Sequence, residues 1–269
     1  MKIVRFVTSE GYAAWGSRWD GSTAELINGD IFGSWHETGV RVRVASFLPV
    51  IQPAAVLCIG LNYRGHARET GFDLPQYPAL FMKNPGAVTG HGADIVIPDC
   101  CADRPEVDYE AELGVVIKTP ARDVSETRAL DHVLGYTCAN DVSARQWQKH
   151  AGAGQWVRGK SFDTFCPLGP VLTLAKAIPD PQDLAICCRL NGEVVQDSHT
   201  SDMVFSVAQI ISYLSQSTTL LAGTLILTGT PEGVGYTRKP PRYLGPGDRV
   251  AVEVEGIGTL ENGIRAQKN

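Results

Sequence analysis

The segment from Val107 to Ile117 constrains the fold and the chemistry of this chain more than any other. It is rich in β-branched residues and follows a run of turn and charged residues, which is typical of a β-strand. Because successive side chains of a strand point to opposite faces, Glu110 and Glu112 share one face, whereas Leu113 and Val115 lie on the other and require a core. Two neighbouring carboxylates repel each other, and they stay ionised together when a cation lies between them.

A third acidic residue follows the next strand-like run of the chain. This run extends from Val133 to Ala139, and Asp141 comes directly after it. Three carboxylates without a thiol or an imidazole beside them suit Mg²⁺, Mn²⁺ or Ca²⁺ better than zinc. The pattern alone also allows a solvated edge strand that carries surface acids, since short motifs often match by chance.

Six short motifs, taken together, make a protein family recognisable. They are Cys58–His66, Phe81–Lys83, Asp108–Leu113, Asn140–Arg145, Lys160–Asp163 and Thr228–Gly235. In this order they resemble the fumarylacetoacetate hydrolase superfamily, and most closely its short members, the acylpyruvase and oxaloacetate-processing group. The similarity covers roughly residues 55 to 262. It implies that Glu110, Glu112 and Asp141 are metal ligands, with Mg²⁺ or Mn²⁺ as the expected ion and Ca²⁺ as an alternative.

The resemblance also implies roles for residues around the metal. His66 and Glu69, three residues apart and so on one helix face, would form a water-activating or proton-shuttling pair on a mobile lid. Lys160 would contact the metal-bound substrate. The expected substrate-binding residues are Lys83, Arg145, Gln148 and Thr230. Without the resemblance, these residues fit a surface ion pair, solvated lysines and an ordinary Gly/Pro turn.

One position departs from the family pattern. Members usually have Asp directly after the arginine that corresponds to Arg145, whereas this chain has Gln146. The change removes a negative charge near the expected site. Any property of the family that depends on this Asp is therefore not carried over to this chain.

The fold class expected is α+β, dominated by β-strands. The resemblance implies a mixed β-sheet roll over residues 53–269, the catalytic domain, preceded by a small β-rich N-terminal domain over residues 1–52. Pro49 and Pro53 bracket a plausible linker between them. The clearest helix is expected from Asp202 to Leu214, capped by Thr200 or Ser201, with an apolar stripe that faces the core. Family members are commonly homodimers, which makes a homodimer the expected assembly.

Charge and hydropathy exclude some classes of partner. The net charge is −5, and this lack of a basic surplus argues against nucleic acid or an anionic membrane as the main partner. No apolar run approaches the roughly 20 residues that span a bilayer. The first residues look like a strand and not like a targeting segment, and the seven cysteines lack zinc-ribbon spacing. The cytoplasm is therefore expected, with mitochondria as an alternative.

These observations lead to a functional hypothesis. An α-keto acid can chelate a divalent ion through two oxygens, and the ion then stabilises the enolate that forms when a neighbouring C–C bond breaks or a proton leaves. The expected substrates are 3-acylpyruvates or oxaloacetate. Hydrolytic C–C cleavage, decarboxylation and keto–enol tautomerisation all share the enolate, and the motifs do not separate them. The alternatives are an isomerase or lyase that acts on a larger unsaturated dioate in aromatic or secondary metabolism, and a non-catalytic keto-acid-binding protein.

Overall fold

A computed structural model describes residues 1–267 of the chain. Strands account for 42% of the residues and helices for 18%, which confirms the mainly β, α+β class. The strands are β1 (Lys2–Thr8), β2 (Ala13–Ser17), β3 (Thr23–Gly29), β4 (Trp35–Phe47), β5 (Val56–Gly60), β6 (Ala79–Lys83), β7 (Val88–Gly90), β8 (Ile95–Ile97), β9 (Val107–Asp108), β10 (Ala111–Ile117), β11 (Val133–Asn140), β12 (Ser143–Ala144), β13 (Cys166–Leu174), β14 (Ala185–Leu190), β15 (Glu193–His199), β16 (Leu225–Leu227), β17 (Arg249–Val254) and β18 (Gly258–Ala266). The α-helices are α1 (Arg64–Thr70), α2 (Glu126–Ala129), α3 (Val157–Lys160) and α4 (Val207–Leu214). Over residues 1–267, no helix has the length and apolar character needed to cross a membrane.

The strands form one large sheet, a second sheet of five strands and a two-stranded ribbon. The large sheet has the order β2-β3-β4-β1-β13-β11-β10-β16-β5-β6, and β7 pairs with β13 off this path. The second sheet has the order β15-β14-β17-β18-β8, and β9 pairs with β12. Most neighbours are antiparallel, but three pairs are parallel, namely β16 with β5, β13 with β7 and β18 with β8, so the sheets are mixed, as expected.

The strand β10 lies in the interior of the large sheet. It pairs with β11 on one side and with β16 on the other, and all seven of its residues are buried. Leu113 and Val115 pack in one apolar cluster. The side chain of Val116 points to the opposite face of the strand and packs in a second cluster with Leu225. The alternation expected from the sequence therefore separates two cores, and the reading of β10 as a solvated edge strand is wrong.

The first four strands continue the large sheet. Ile3 in β1 pairs with Leu172 in β13, and β1 also pairs with β2 and β4. Val4 and Phe6 belong to the same apolar cluster as Leu113. Backbone hydrogen bonds and a shared core thus connect residues 1–52 to the rest of the chain, and a separate N-terminal domain stays a prediction.

The helix α4 begins later than expected. It starts at Val207, whereas the sequence indicated Asp202, because Ser206 provides a more effective N-cap. The Ser206 hydroxyl accepts a hydrogen bond from the Gln209 N–H at 3.2 Å, and the Gln209 side chain accepts one from the Ser206 N–H at 2.9 Å. The apolar stripe does face the core, with Val207 and Ile211 buried in the main cluster.

Candidate active site

Three carboxylates from two segments of the chain meet where β10 begins and β11 ends. In the register of this strand pair Ala111 lies opposite Asn140, so Glu110 and Asp141, which come next to them, also face each other. The Asp141 N–H donates to the Glu110 carbonyl oxygen at 2.9 Å. One carboxylate oxygen from each of Glu110, Glu112 and Asp141 lies within 4.8 Å of the others, and all three residues are buried. This oxygen-only donor set could hold one divalent ion of the hard class.

The electrostatics of Glu112 fit such an ion. Burial raises the pKa of its carboxyl well above the usual value, and the nearby Asp141 and Glu110 carboxylates raise this pKa further. Burial also acts to raise the pKa of Glu110, but the cations of Lys160 and Arg145 outweigh it and lower that pKa to about 2. A divalent ion in the cluster would supply the positive charge that Glu112 lacks.

Two buried lysines lie against the carboxylate cluster. The Lys160 ammonium is 2.8 Å from Glu110 Oε2 and 2.7 Å from Asp141 Oδ2, and it donates to Ser143 Oγ at 2.8 Å. Lys83 Nζ is 2.5 Å from Asp141 Oδ1. Both ammonium groups are thus engaged by protein carboxylates. Their direct contact with substrate stays a prediction.

Arg145 connects the cluster to a fourth buried acid, Asp108. Its Nη2 lies 2.8 Å from Asp108 Oδ2 and its Nη1 lies 2.6 Å from Glu110 Oε1. Its Nη1 also donates to Gln148 Oε1 at 3.0 Å, so the two residues share a face, as their spacing indicates. Gln146, which follows Arg145 in the chain, lines a different cavity, together with Cys100. Sequence reasoning overlooked Asp108, although its spacing of two from Glu110 placed it on the same strand face.

A histidine–glutamate pair on α1 lies over the cavity. His66 Nδ1 and Glu69 Oε1 are 2.7 Å apart, and Glu69 Oε2 accepts a hydrogen bond from the Gly233 N–H at 3.0 Å. The helix approaches the loop after β16 so closely that a Cβ atom on Gly65 would lie 2.0 Å from Glu232 Oε2. The glycine thus permits the close packing that holds His66 in place.

Some of these groups line a cavity of about 470 Å³. Its polar lining residues include His66, Glu110, Glu112, Arg145, Gln148, Lys149, Thr230 and Tyr236. An apolar wall is formed in part by Phe81 and Trp156, whose rings pack edge to face with centroids 5.3 Å apart. Thr230 is positioned by a buried residue that sequence reasoning missed, Gln196, whose Nε2 donates to Thr230 Oγ1 at 2.8 Å.

Fold and site together define a buried acidic centre that could bind a divalent ion beside a histidine. Residues 55–265 match the model of the family described as fumarylacetoacetate (FAA) hydrolase C-terminal. The chain belongs to this family, as its six motifs indicated, and it is an enzyme of the fumarylacetoacetate hydrolase superfamily.

Relatives of the chain carry several activities in their names. The chain is 46% identical over 224 residues to the bovine (Bos taurus) oxaloacetate tautomerase FAHD2A, mitochondrial, an alignment that covers 83% of this chain and 70% of that protein. It is 38% identical to a 2-hydroxyhepta-2,4-diene-1,7-dioate isomerase from Mycobacterium marinum, with a TM-score of 0.84 and full coverage of both chains. It is 36% identical to a fumarylacetoacetate hydrolase from Exiguobacterium antarcticum, with a TM-score of 0.87 and coverage of 99% of this chain and 100% of that one.

Proposed function

We propose that this chain is a divalent-metal-dependent enzyme that forms the enolate of small 2-oxo acids, and that keto–enol tautomerisation of oxaloacetate is its primary reaction. The observation that carries the proposal is a cavity lined by one histidine, His66, and by Glu110 and Glu112, two members of the cluster of three carboxylates. Glu110, Glu112 and Asp141 would hold Mg²⁺ or Mn²⁺. When bound, the ion would act as a Lewis acid and stabilise the negative charge of the enolate.

His66 would move the proton in this reaction. The Glu69 carboxylate accepts a hydrogen bond from Gly233, and its other oxygen faces His66 Nδ1. A carboxylate accepts hydrogen bonds, so His66 donates through Nδ1–H, and its Nε2 is left to take a proton. In a tautomerase Nε2 removes a proton from C3 of oxaloacetate and returns it to the C2 oxygen, so that no proton is gained or lost.

Two further side chains would hold the substrate. Thr230 Oγ1 accepts from Gln196, so its own hydrogen is available for a substrate oxygen. Gln148 Oε1 accepts from Arg145, which leaves the amide Nε2 of Gln148 to donate into the cavity. These donors would orient the planar oxo-acid group for proton transfer.

The relative named oxaloacetate tautomerase supports tautomerisation over hydrolysis and decarboxylation. A second candidate is isomerisation of a larger unsaturated dioate. It is favoured by the cavity volume of about 470 Å³ and by the structural likeness to a protein named as a dioate isomerase. Both reactions move a proton through an enolate, and both require the same base.

The assembly and the location of the chain are separate from its reaction. We propose a homodimer, since the terminal strand β6 of the large sheet carries the exposed apolar side chains of Leu80 and Met82. Light scattering coupled to size-exclusion chromatography tests it. The cytoplasmic location stays a prediction, and the bovine relative is named as mitochondrial.

A direct assay tests the proposed reaction. The chain is incubated with enol-oxaloacetate and Mg²⁺ or Mn²⁺, and the loss of enol absorbance is followed in the ultraviolet, with products identified by NMR. Acylpyruvates and hydroxyhexadienedioates are tested in parallel. The proposal requires ketonisation of oxaloacetate well above the rate with metal alone, abolished by EDTA. No acceleration with any of these oxo acids would refute it.

A further inference from the structure

The cations expected to attract an anionic substrate are already neutralised. Lys83 binds Asp141, Lys160 binds Glu110 and Asp141, and Arg145 binds Asp108 and Glu110. With Glu112, which pairs with none of these cations, four buried carboxylates face three buried cations, and the ionised cluster keeps one negative charge. A divalent ion turns this into one positive charge. That charge matches the single carboxylate of a monocarboxylic oxo acid, but a dicarboxylic substrate needs one more cation.

Lys149 provides a cation at the cavity that is not neutralised in this way. Within residues 1–267, no carboxylate oxygen lies within 4.0 Å of its ammonium, although it lines the same cavity as Glu110, Glu112 and Arg145. Burial lowers the pKa of Lys149 and the Arg145 guanidinium lowers it further, against a weaker opposing effect of Asp108 and Glu106. An anion bound beside Lys149 would favour its charged form and so offset both effects.

An aromatic ring holds Lys149 in position. Its Nζ lies 3.6 Å from the ring centroid of Tyr236, and Arg145 Cζ lies 4.5 Å from the same centroid. The Tyr236 main chain is fixed in turn, because its N–H donates to Asp108 Oδ2 at 3.0 Å. The two cations therefore pack on one ring, which places the free ammonium next to the paired guanidinium.

We propose that Lys149 binds the second carboxylate of a dicarboxylic 2-oxo acid and so selects dicarboxylates over monocarboxylates. This inference rests on the proposed function and narrows its substrate class. The first carboxylate and the oxo group occupy the acidic centre, and the second carboxylate extends toward the Lys149 ammonium. The substrate class is thus defined by charge and length: a 2-oxo dicarboxylate whose second carboxylate reaches this lysine.

Binding of a ligand series tests the proposal. Calorimetry on the Mn²⁺-loaded chain compares pyruvate with the 2-oxo dicarboxylates of four, five and six carbons, namely oxaloacetate, 2-oxoglutarate and 2-oxoadipate. At least one dicarboxylate is expected to bind the wild-type chain about tenfold more tightly than pyruvate. Lys149→Met should abolish this preference by weakening dicarboxylate binding alone, and Lys149→Arg should restore most of it. Lys176→Met, a change at an exposed lysine elsewhere, is the matched control and should keep the preference.

Turnover gives an independent readout. With oxaloacetate, Lys149→Met should raise KM about tenfold and change kcat little, because the lysine does not touch the reacting carbon. The assignment of Lys149 is overturned if pyruvate binds but the wild-type chain shows no preference for dicarboxylates, or if Lys149→Met leaves that preference intact. In either case the proposed function stands. If no oxo acid binds or reacts, the proposed function fails and the assignment fails with it.

Discussion

The carboxylate of Glu112 accepts a hydrogen bond from the main-chain N–H of Gly229 across 2.7 Å. Gly229 has a φ of +100°, and a Cβ atom there would lie 2.7 Å from the Cβ of Asn62, so glycine is needed for this approach. Glu110, by contrast, has the guanidinium of Arg145 and the ammonium of Lys160 beside it. The carboxylate cluster is therefore unevenly balanced, with its positive charge concentrated on the side away from Glu112.

Glu112→Gln should remove metal binding and stabilise the metal-free chain. Because burial raises the pKa of Glu112 in the folded state, the folded chain holds this proton to higher pH than the unfolded chain does. The stability of the wild-type chain thus falls as pH rises above the normal glutamate range. The amide of Glu112→Gln carries no such proton, so the variant avoids this loss. In EDTA at pH ~8 the variant should melt at a higher temperature than the wild type. Added Mn²⁺ should raise the melting temperature of the wild type only.

Glu10→Gln, a change at an exposed glutamate, is the control for Glu112→Gln. It should leave both the melting temperature and the response to Mn²⁺ as in the wild type. An equal stabilisation of Glu112→Gln and wild type by Mn²⁺ would show that Glu112 is not a ligand.

Lys160→Met should destabilise the metal-free chain strongly. The ammonium is buried between Glu110 and Asp141, and its loss leaves two buried carboxylates without this partner. Removing one member of a buried ion pair costs about 3–5 kcal/mol. Urea unfolding in EDTA measures this loss, and Mn²⁺ should recover part of it. A variant as stable as Lys176→Met in EDTA would contradict the prediction.

His66→Ala should slow turnover of oxaloacetate by about 10²–10⁴-fold, the usual contribution of a general base. Glu69→Gln should cause a smaller loss, since an amide still accepts from Nδ1–H but no longer stabilises positive charge on the ring. Steady-state kinetics give kcat, and calorimetry should show Mn²⁺ affinity unchanged in both variants. A large drop in Mn²⁺ affinity would instead place His66 among the metal ligands.

Hydrogen exchange should divide the expected lid, residues 64–75, into two parts. The helix α1 is fixed at its start, where the Gly65 N–H donates to Asp202 Oδ2 at 2.8 Å, and near its end, where Glu69 binds Gly233. Phe72 and Leu74 beyond it are largely exposed. Without ligand, α1 should be protected and residues 71–75 should exchange rapidly. Oxalate with Mn²⁺ should slow the exchange of residues 71–75 only. Rapid exchange of α1 without ligand would instead support motion of the whole segment.

The acidic centre was within reach of sequence reasoning because its geometry is local. Alternation along one strand places Glu110 and Glu112 together, and a short antiparallel pair brings Asp141 beside them. The same rule could have found Asp108. The interactions of Lys83 and Lys160 could not be deduced, because both lysines are buried by contacts with residues distant in sequence.

The position of Lys149 was beyond prediction for a similar reason. It depends on the ring of Tyr236, which is 87 residues further along the chain and is held by Asp108. The start of α4 was a different kind of error. The capping pair Ser206 and Gln209 is visible in the sequence, but the longer apolar pattern drew the predicted start towards Asp202.

The pairing of β1 with β13 has a consequence for aggregation. On one side of β13, Leu172 pairs with Ile3 and Thr173 pairs with Lys2 of β1. A chain shortened by proteolysis before residue 53 would expose this part of β13 as an open edge, next to apolar surface that Val4 and Phe6 had covered. Such fragments should associate through the exposed strand and precipitate, so intact N-terminal strands protect the chain against misassembly as well as completing its sheet.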